Sequence, residues 1–212
     1  MTEGILLVIS GPSGVGKGTL CKALREGFSE LCYSISATTR APRPGEQNGV
    51  EYLFLSPEEF EAKIERDEFL EWAFVYENYY GTPRVPVEEA LKKGKDIVLE
   101  IDMQGALQIK ERFPEAVFVY LLSPSLEEQR RRIERRGTEN PENMNSRLEA
   151  VKEELKHLNW YDYVIVNDEI ADGVDKLKSI ITAEKCRVTR NREWLAHLVQ
   201  LSGGDGIDRT EL

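Results

Sequence analysis

Cysteine is scarce in this chain and poorly placed for cross-linking. Cys21, Cys32 and Cys186 are widely spaced, odd in number and never form a CxxC pair. That excludes a disulfide framework and a cysteine-built zinc site, and it fits a reduced, cytosolic compartment. Histidine is scarcer still, limited to His157 and His197, so no histidine metal centre is expected. Long apolar runs are missing, and nothing approaches the ~20 residues needed to cross a bilayer. The opening MTEGILLVIS carries an acidic residue and no basic one ahead of a short apolar stretch. It lacks the charged start and cleavage site of a signal peptide and reads instead as a buried strand. Positive charge is also in deficit. A net charge of -10 speaks against a general nucleic-acid binder, which needs a basic surface for the phosphate backbone. What remains is an ordinary soluble balance in 212 residues, enough for one sizeable core with small lobes.

Continuous aliphatic runs recur along the chain at Ile5–Ile9, Asp96–Ile101, Ala116–Leu122 and, more briefly, Val164–Val166. Such runs predict strands buried on both faces of a parallel sheet. Helical patterns with recognisable ends lie between them. Ser125 precedes Leu126 with Glu128 three residues on, a capping box, and Gly137 stands where that helix should stop. Pro86 and Gly94 bracket another helix, proline near its start and glycine past its end. Strands alternating with helices imply an α/β fold with a parallel core. Residues 33 to about 82 break this rhythm. Short runs such as Tyr52–Leu55 and Phe69–Val75 surround one helix that opens at Ser56-Pro57, its cap completed by Glu59. This segment is expected to be a separate β-rich lobe. A third, movable piece is expected from Leu126 to Leu158, turning over Gly137–Asn143. In the tail, Trp194, Leu195, Leu198 and Leu201 align on one helix face, and the glycine-rich stretch after Leu201 reads as disordered.

Gly11-Pro12-Ser13-Gly14-Val15-Gly16-Lys17 follows the first strand and leads into a helical stretch ending near Gly27. That is the context of a P-loop. Glycines let successive backbone N–H groups turn inward toward phosphate oxygens, and the helix presents its positive dipole end to the same anion. Lys17 adds a mobile charge for the β- and γ-phosphates. The hydroxyl usually found next to the lysine is displaced by one position, with Gly18 followed by Thr19. The pattern predicts binding of a nucleoside triphosphate and is silent about the reaction.

The segment Ser34–Tyr52, SISATTRAPRPGEQNGVEY, resembles the signature of guanylate kinases. The resemblance continues in family order through Glu71-Trp72, Asn78–Thr82, Glu100–Gly105, Arg136–Glu139, Arg147-Leu148 and Val166–Asp168. It spans roughly residues 4 to 185. It implies transfer of the γ-phosphoryl group of ATP to GMP, giving ADP and GDP, in guanine nucleotide metabolism. It also implies a P-loop three-layer core with a parallel sheet, over 4–32, 83–125 and 159–185. Within this core sit a β-rich GMP-binding lobe over 33–82 and a helical lid over 126–158. Residues 186–212 are left as a partly disordered extension beyond the resemblance.

The residue chemistry agrees with the resemblance. Arg40 and Arg43 lie in a stretch stiffened by Pro42 and Pro44, and guanidinium forks bind phosphate oxygens bidentately. With hydroxyls from Tyr52 and Tyr80, they match the positions that hold the GMP phosphate. Guanine presents N1–H and an exocyclic amine as adjacent donors, so one carboxylate can accept both. Glu71 matches the residue given that role, Ser36 and Thr82 match hydroxyls near the base, and Asp102 matches a further acceptor-site carboxylate. Arg130, Arg131, Arg132, Arg135 and Arg136 crowd one helix. By resemblance Arg132, Arg136 and Arg147 close over the ATP phosphates. The others are expected to be solvated and paired with Glu127, Glu128 and Glu134. Asn167 resembles the border of the adenine site, completing an ATP set of Gly11 to Thr19, Arg132, Arg136 and Asn167. Lys17, Arg40, Arg136 and Arg147 are the expected catalytic groups. Thr19 and Glu100 are the expected Mg²⁺ contacts, partly through water. Two rivals stand beside this reading: a catalytically dead interaction module of the same fold, and a kinase for another nucleotide. ATP and GMP are the expected partners, with no nucleic acid and no membrane; monomer and homo-oligomer stay equally open.

Overall fold

The computed structural model describes residues 4–75, 77–135, 151, 154–156 and 158–201. Among them the chain begins with β1 (Leu6–Ser10), α1 (Lys17–Gly27), β2 (Cys32–Tyr33), β3 (Ala37–Thr38) and β4 (Leu53–Phe54). It continues through α2 (Pro57–Glu65), β5 (Phe69–Val75), β6 (Asn78–Pro83), α3 (Arg84–Lys92) and β7 (Ile97–Glu100). Then come α4 (Met103–Arg112), β8 (Val117–Leu122), α5 (Leu126–Arg135), β9 (Tyr163–Val166), α6 (Ile170–Lys185) and α7 (Arg192–Leu201).

The aliphatic runs pair into a five-stranded parallel sheet, ordered β2-β7-β1-β8-β9. Side chains alternate across a strand, and β1 has apolar residues on both of its faces. Leu7 and Ile9 enter a cluster with Leu20 and Leu24 of α1 and Leu177 and Ile181 of α6. Leu6 and Val8 enter the opposite cluster with Val87 and Ala90 of α3 and Ala106 and Ile109 of α4. Helices therefore cover both faces, giving the expected three layers. Leu7, fully buried, is a position where truncation to alanine costs about 2–5 kcal/mol.

Residues 37–83 add a second sheet, ordered β4-β3-β6-β5 and mixed in direction. Its small core is Ala37, Phe60 and Phe69; the Phe60 ring stacks on Phe69 at 4.4 Å and on Tyr79 at 5.1 Å. The expected capping box opens α2, with Ser56 Oγ accepting from Glu59 N at 3.2 Å and Glu59 Oε2 accepting from Ser56 N at 2.8 Å. Tyr33 pairs with Val98 in the larger sheet, so the core reaches one residue into the span assigned to the lobe. The two sheets are joined where Gln108 of α4 mimics a strand partner. It accepts from Trp72 N at 3.2 Å and donates to Trp72 O at 2.7 Å.

Helix ends follow the local signals with two adjustments. α3 begins at Arg84, so Pro86 falls within its first turn, where N–H groups are unpaired in any helix. At α5, Ser125 Oγ accepts from Glu128 N at 3.0 Å. The Glu128 carboxylate, expected to return to the cap, instead takes Arg132 Nε at 2.7 Å and also Arg131. Charge pairing along the helix outweighs the reciprocal cap bond. The expected stop at Gly137 and the turn to Asn143 lie outside the described residues. On α7, Trp194 and Leu198 are 59% and 42% exposed, whereas Leu195 is half-buried. No described helix is long and apolar enough to cross a membrane.

Candidate active site

β1 is the central strand, and the chain leaving its carboxyl end forms the P-loop. Gly14 and Gly16 adopt φ of 82° and 92°, the left-handed region that disfavours side chains. A Cβ at Gly14 would lie 2.5 Å from Ile133 Cγ1 and one at Gly16 2.7 Å from Asn167 Nδ2. Gly16 caps α1, whose first turn directs its N–H groups and dipole to the loop. The Lys17 ammonium arches back over the loop, donating to Gly11 O and, at 3.3 Å, to Pro12 O.

Two buried amides grip the loop from outside. Gln129 Nε2 donates to Ser13 O at 2.9 Å, and Asn167 Nδ2 donates to Val15 O at 2.8 Å. Asn167 is fully buried, its side chain supporting the loop. Arg132 lies across this junction, donating to Asn167 O at 2.9 Å and Val15 O at 3.5 Å. Arg130 pairs with Glu134 at 3.1 Å and Arg131 with Glu128, as expected of a solvated face. Arg136 and Arg147 lie outside the described residues.

Glu100 ends β7 against the first turn of α1; a Cβ on Gly18 would lie 3.5 Å from its Oε1. Thr19 is exposed on the same turn. Among the described residues no group of three or more His, Cys, Asp or Glu is arranged to hold a metal. One carboxylate and one hydroxyl nevertheless suit Mg²⁺, which keeps several waters and takes its remaining oxygens from substrate phosphates.

On the lobe, strand register makes Glu71 of β5 the cross-strand partner of Thr82 of β6. Thr82 Oγ1 donates to Glu71 Oε1 at 2.6 Å. Glu71 is only 4% exposed, and its carboxylate rests on the first turn of α4. A Cβ on Gly105 would meet Glu71 Oε2 at 2.3 Å. Asp102 caps that turn, accepting from Gly105 N at 2.9 Å. Burial pushes the Glu71 carboxyl up to about 7, the Asp102 charge adding to the rise and the Thr82 hydroxyl opposing it.

Arg40 is held ready by a residue the sequence did not single out. Its Nη2 donates to Glu46 Oε1 and Oε2 at 3.0 and 2.9 Å, its Nη1 to Ala41 O at 2.6 Å. Partial burial works to raise the Glu46 carboxyl, but the Arg43 N–H and the Arg40 guanidinium outweigh it and hold it below its ordinary value. The guanidinium lies 5.4 Å from the Tyr52 ring centre, and Tyr52 meets Tyr80 edge-on at 6.1 Å. Burial pushes the Tyr52 hydroxyl up to about 12, with Glu100 of the core and Tyr80 adding to the rise. The influence of Glu100 puts the lobe's aromatic pair and the core's carboxylate within electrostatic reach of each other. The Arg43 side chain is exposed, and its backbone N–H donates to Glu46 Oε2 at 2.7 Å. Ser36 precedes β3 and is half-buried.

Gln129 and Glu154 are the other groups the sequence reading passed over. Tyr120 donates to Glu154 Oε2 at 2.7 Å. Burial raises the Glu154 carboxyl, Tyr120 and Lys17 lower it, and Asp102 raises it again. Nothing in the surrounding KEELK marks that glutamate. Gln129 had a faint signal: it stands four residues before Ile133, on the stripe that faces the core.

The family model described as guanylate kinase matches residues 3–184. The chain belongs to the guanylate kinase family. A guanylate kinase of Caldanaerobacter subterraneus subsp. tengcongensis is 56% identical over 90% of this chain and 93% of its own length. One from Halalkalibacterium halodurans is 54% identical over 94% of this chain and 98% of its own. The crystal structure of guanylate kinase from Anaplasma phagocytophilum superposes with a TM-score of 0.76 at 36% identity, covering 90% of each chain. The guanylate kinase family model stops at Glu184, yet the Halalkalibacterium match must run past it into α7. The first part of the tail, expected to lie beyond the resemblance, is therefore aligned with that relative.

Proposed function

We propose that this protein transfers the γ-phosphoryl group of ATP to the phosphate of GMP, giving ADP and GDP, as an enzyme of guanine nucleotide recycling in the cytoplasm. The carrying observation is a pair of half-sites linked through Glu100. A buried carboxylate seated on Thr82 and Gly105 lies on the strand pair that neighbours Arg40, Tyr52 and Tyr80, and Tyr52 feels the charge of Glu100, which lies against the first turn of the helix that follows the P-loop.

Glu71 accepts the two guanine donors, with Ser36, Thr82 and Asp102 completing the base site. Arg40, Arg43, Tyr52 and Tyr80 take the acceptor phosphate, Arg40 sharing its guanidinium between that phosphate and Glu46. The loop from Gly11 to Thr19 cradles the ATP phosphates, Arg132 reaches them from α5 together with Arg136 and Arg147, and Asn167 borders the adenine while supporting the loop. Glu100 and Thr19 would hold Mg²⁺, partly through water, and the bound ion neutralises charge on the β- and γ-phosphates. An acceptor phosphate is already anionic, so no general base is required. The protein's part is alignment, charge neutralisation and exclusion of water. The lobe over 33–82 and the lid over 126–158 close on the core over 4–32, 83–125 and 159–185 once both nucleotides are bound, which limits ATP hydrolysis.

A coupled assay of ADP release with GMP, AMP, CMP and dTMP tests this. Turnover is expected with GMP alone. Comparable kcat/KM with AMP overturns the guanine assignment, and no turnover with any acceptor restores the interaction-module rival.

A further inference from the structure

The peptide planes of the P-loop are set from outside it. A trans peptide unit points its C=O and N–H in opposite directions, so a group that fixes one also aims the other. Gln129 Nε2 holds Ser13 O at 2.9 Å, and the N–H of that peptide unit belongs to Gly14. Asn167 Nδ2 holds Val15 O at 2.8 Å, and the corresponding N–H belongs to Gly16. Gln129 is 2% exposed. It sits one helical turn before Ile133, whose Cγ1 closes to 2.5 Å from where a Gly14 Cβ would stand. One helix thus grips one turn of the loop with a hydrogen bond and an apolar contact. Packing alone would be served at lower desolvation cost by leucine or methionine; what the amide adds is a donor.

We infer that Gln129 is a positioning residue for ATP, aiming the Gly14 N–H at the triphosphate and tying that aim to the placement of α5. The inference rests on the phosphate-cradle reading above. A loop left free to rotate its 13–14 peptide must be ordered by the nucleotide itself, and that ordering is subtracted from affinity. Preorganised donors need no such reorganisation. The consequence is confined to the donor nucleotide, because the GMP groups lie on the β-rich lobe and at the N-cap of α4.

The test is isothermal titration of ATP and of GMP into the full chain and two variants. Gln129→Met keeps length and volume but removes the donor to Ser13 O. It should weaken ATP about tenfold and GMP by less than about twofold, the loss expected for one buried hydrogen bond. Gln129→Glu turns a carboxylate toward a carbonyl when ionised and an O–H donor when protonated. Its ATP affinity should recover as pH falls, and the parent's should not. Parent-like ATP binding by Gln129→Met, or equal weakening of both nucleotides, overturns the inference. If Gln129→Met loses its native circular dichroism, the glutamate variant decides. A defect reversed by acid supports the positioning role, and one indifferent to acid overturns it. Lys17→Met is the control: if it too binds ATP like the parent, the phosphate-cradle reading has failed rather than the role of Gln129.

Discussion

Glu71→Gln is the perturbation with the most specific outcome, because the structure makes opposite predictions for binding and for stability. The parent carboxyl is buried and ionises near 7, against 4.5 for a free glutamate. A displacement of that size corresponds to roughly 3 kcal/mol against the ionised form. The native carboxyl takes up its proton at higher pH than the unfolded one. Its contribution to stability is therefore fully present below about pH 4.5 and is lost as pH rises through about 7. Glutamine cannot ionise, so at pH 8 the variant without nucleotide should melt several degrees higher than the parent, with roughly 3 kcal/mol as the ceiling. Binding should move the other way. Thr82 Oγ1 donates to one carboxylate oxygen at 2.6 Å, and guanine brings two further donors. A carboxylate can accept all three, whereas the single oxygen of an amide leaves its NH₂ facing a donor in either orientation. The loss should be about 1.5–3 kcal/mol, the range for hydrogen bonds to a charged group. That is a rise in GMP KM of roughly ten- to a hundredfold at pH 8. The parent's GMP KM should fall as pH rises from about 6 to 8, as the carboxyl ionises. The glutamine variant reports the ionisation of the GMP phosphate alone, so the difference between the two profiles isolates Glu71. Coupled ADP-release kinetics across that range, with melting curves at both ends, provide the measurement. Parent-like GMP KM in the variant, or superimposable pH profiles, would refute the assignment.

Three further outcomes follow from the same geometry. Gly105→Ala places a methyl where Glu71 Oε2 lies 2.3 Å away; it should raise the GMP KM about tenfold or more while leaving that of ATP unchanged, since displacing the carboxylate loses charged hydrogen bonds. Equal effects on both substrates would mean that α4 itself has been disturbed. Arg43→Ala removes an exposed side chain and leaves in place the backbone N–H that donates to Glu46 Oε2. It should raise the GMP KM by about tenfold with no shift in melting temperature, and an unchanged KM would remove Arg43 from the phosphate site. Lys17→Met should cut turnover by about a thousandfold or more with native circular dichroism, because it deletes charge that acts on the transferring group. Near-parental rates would exclude that role.

Local and periodic features were legible in the sequence. The aliphatic runs became β1, β7, β8 and β9 because a strand covered on both faces has no polar side to alternate with. The glycines of the P-loop announced a turn, and Ser56 with Glu59 announced the start of α2, because those effects act over a few residues. The guanylate kinase motifs carried the acceptor residues in order along the chain. What the sequence left open is whatever depends on long-range approach. The order β2-β7-β1-β8-β9 follows from how the helices pack. Glu71 becomes a shielded acceptor only when β6 supplies Thr82, α4 supplies a bare Gly105, and burial lifts its carboxyl to about 7. Glu46 and Glu154 read as ordinary surface charges until Arg40 and Tyr120 are folded against them. Gln129 lies 116 positions from Ser13 and Asn167 lies 152 from Val15. No local propensity marks such pairs, since a buried amide is tolerated only where tertiary packing brings it a partner.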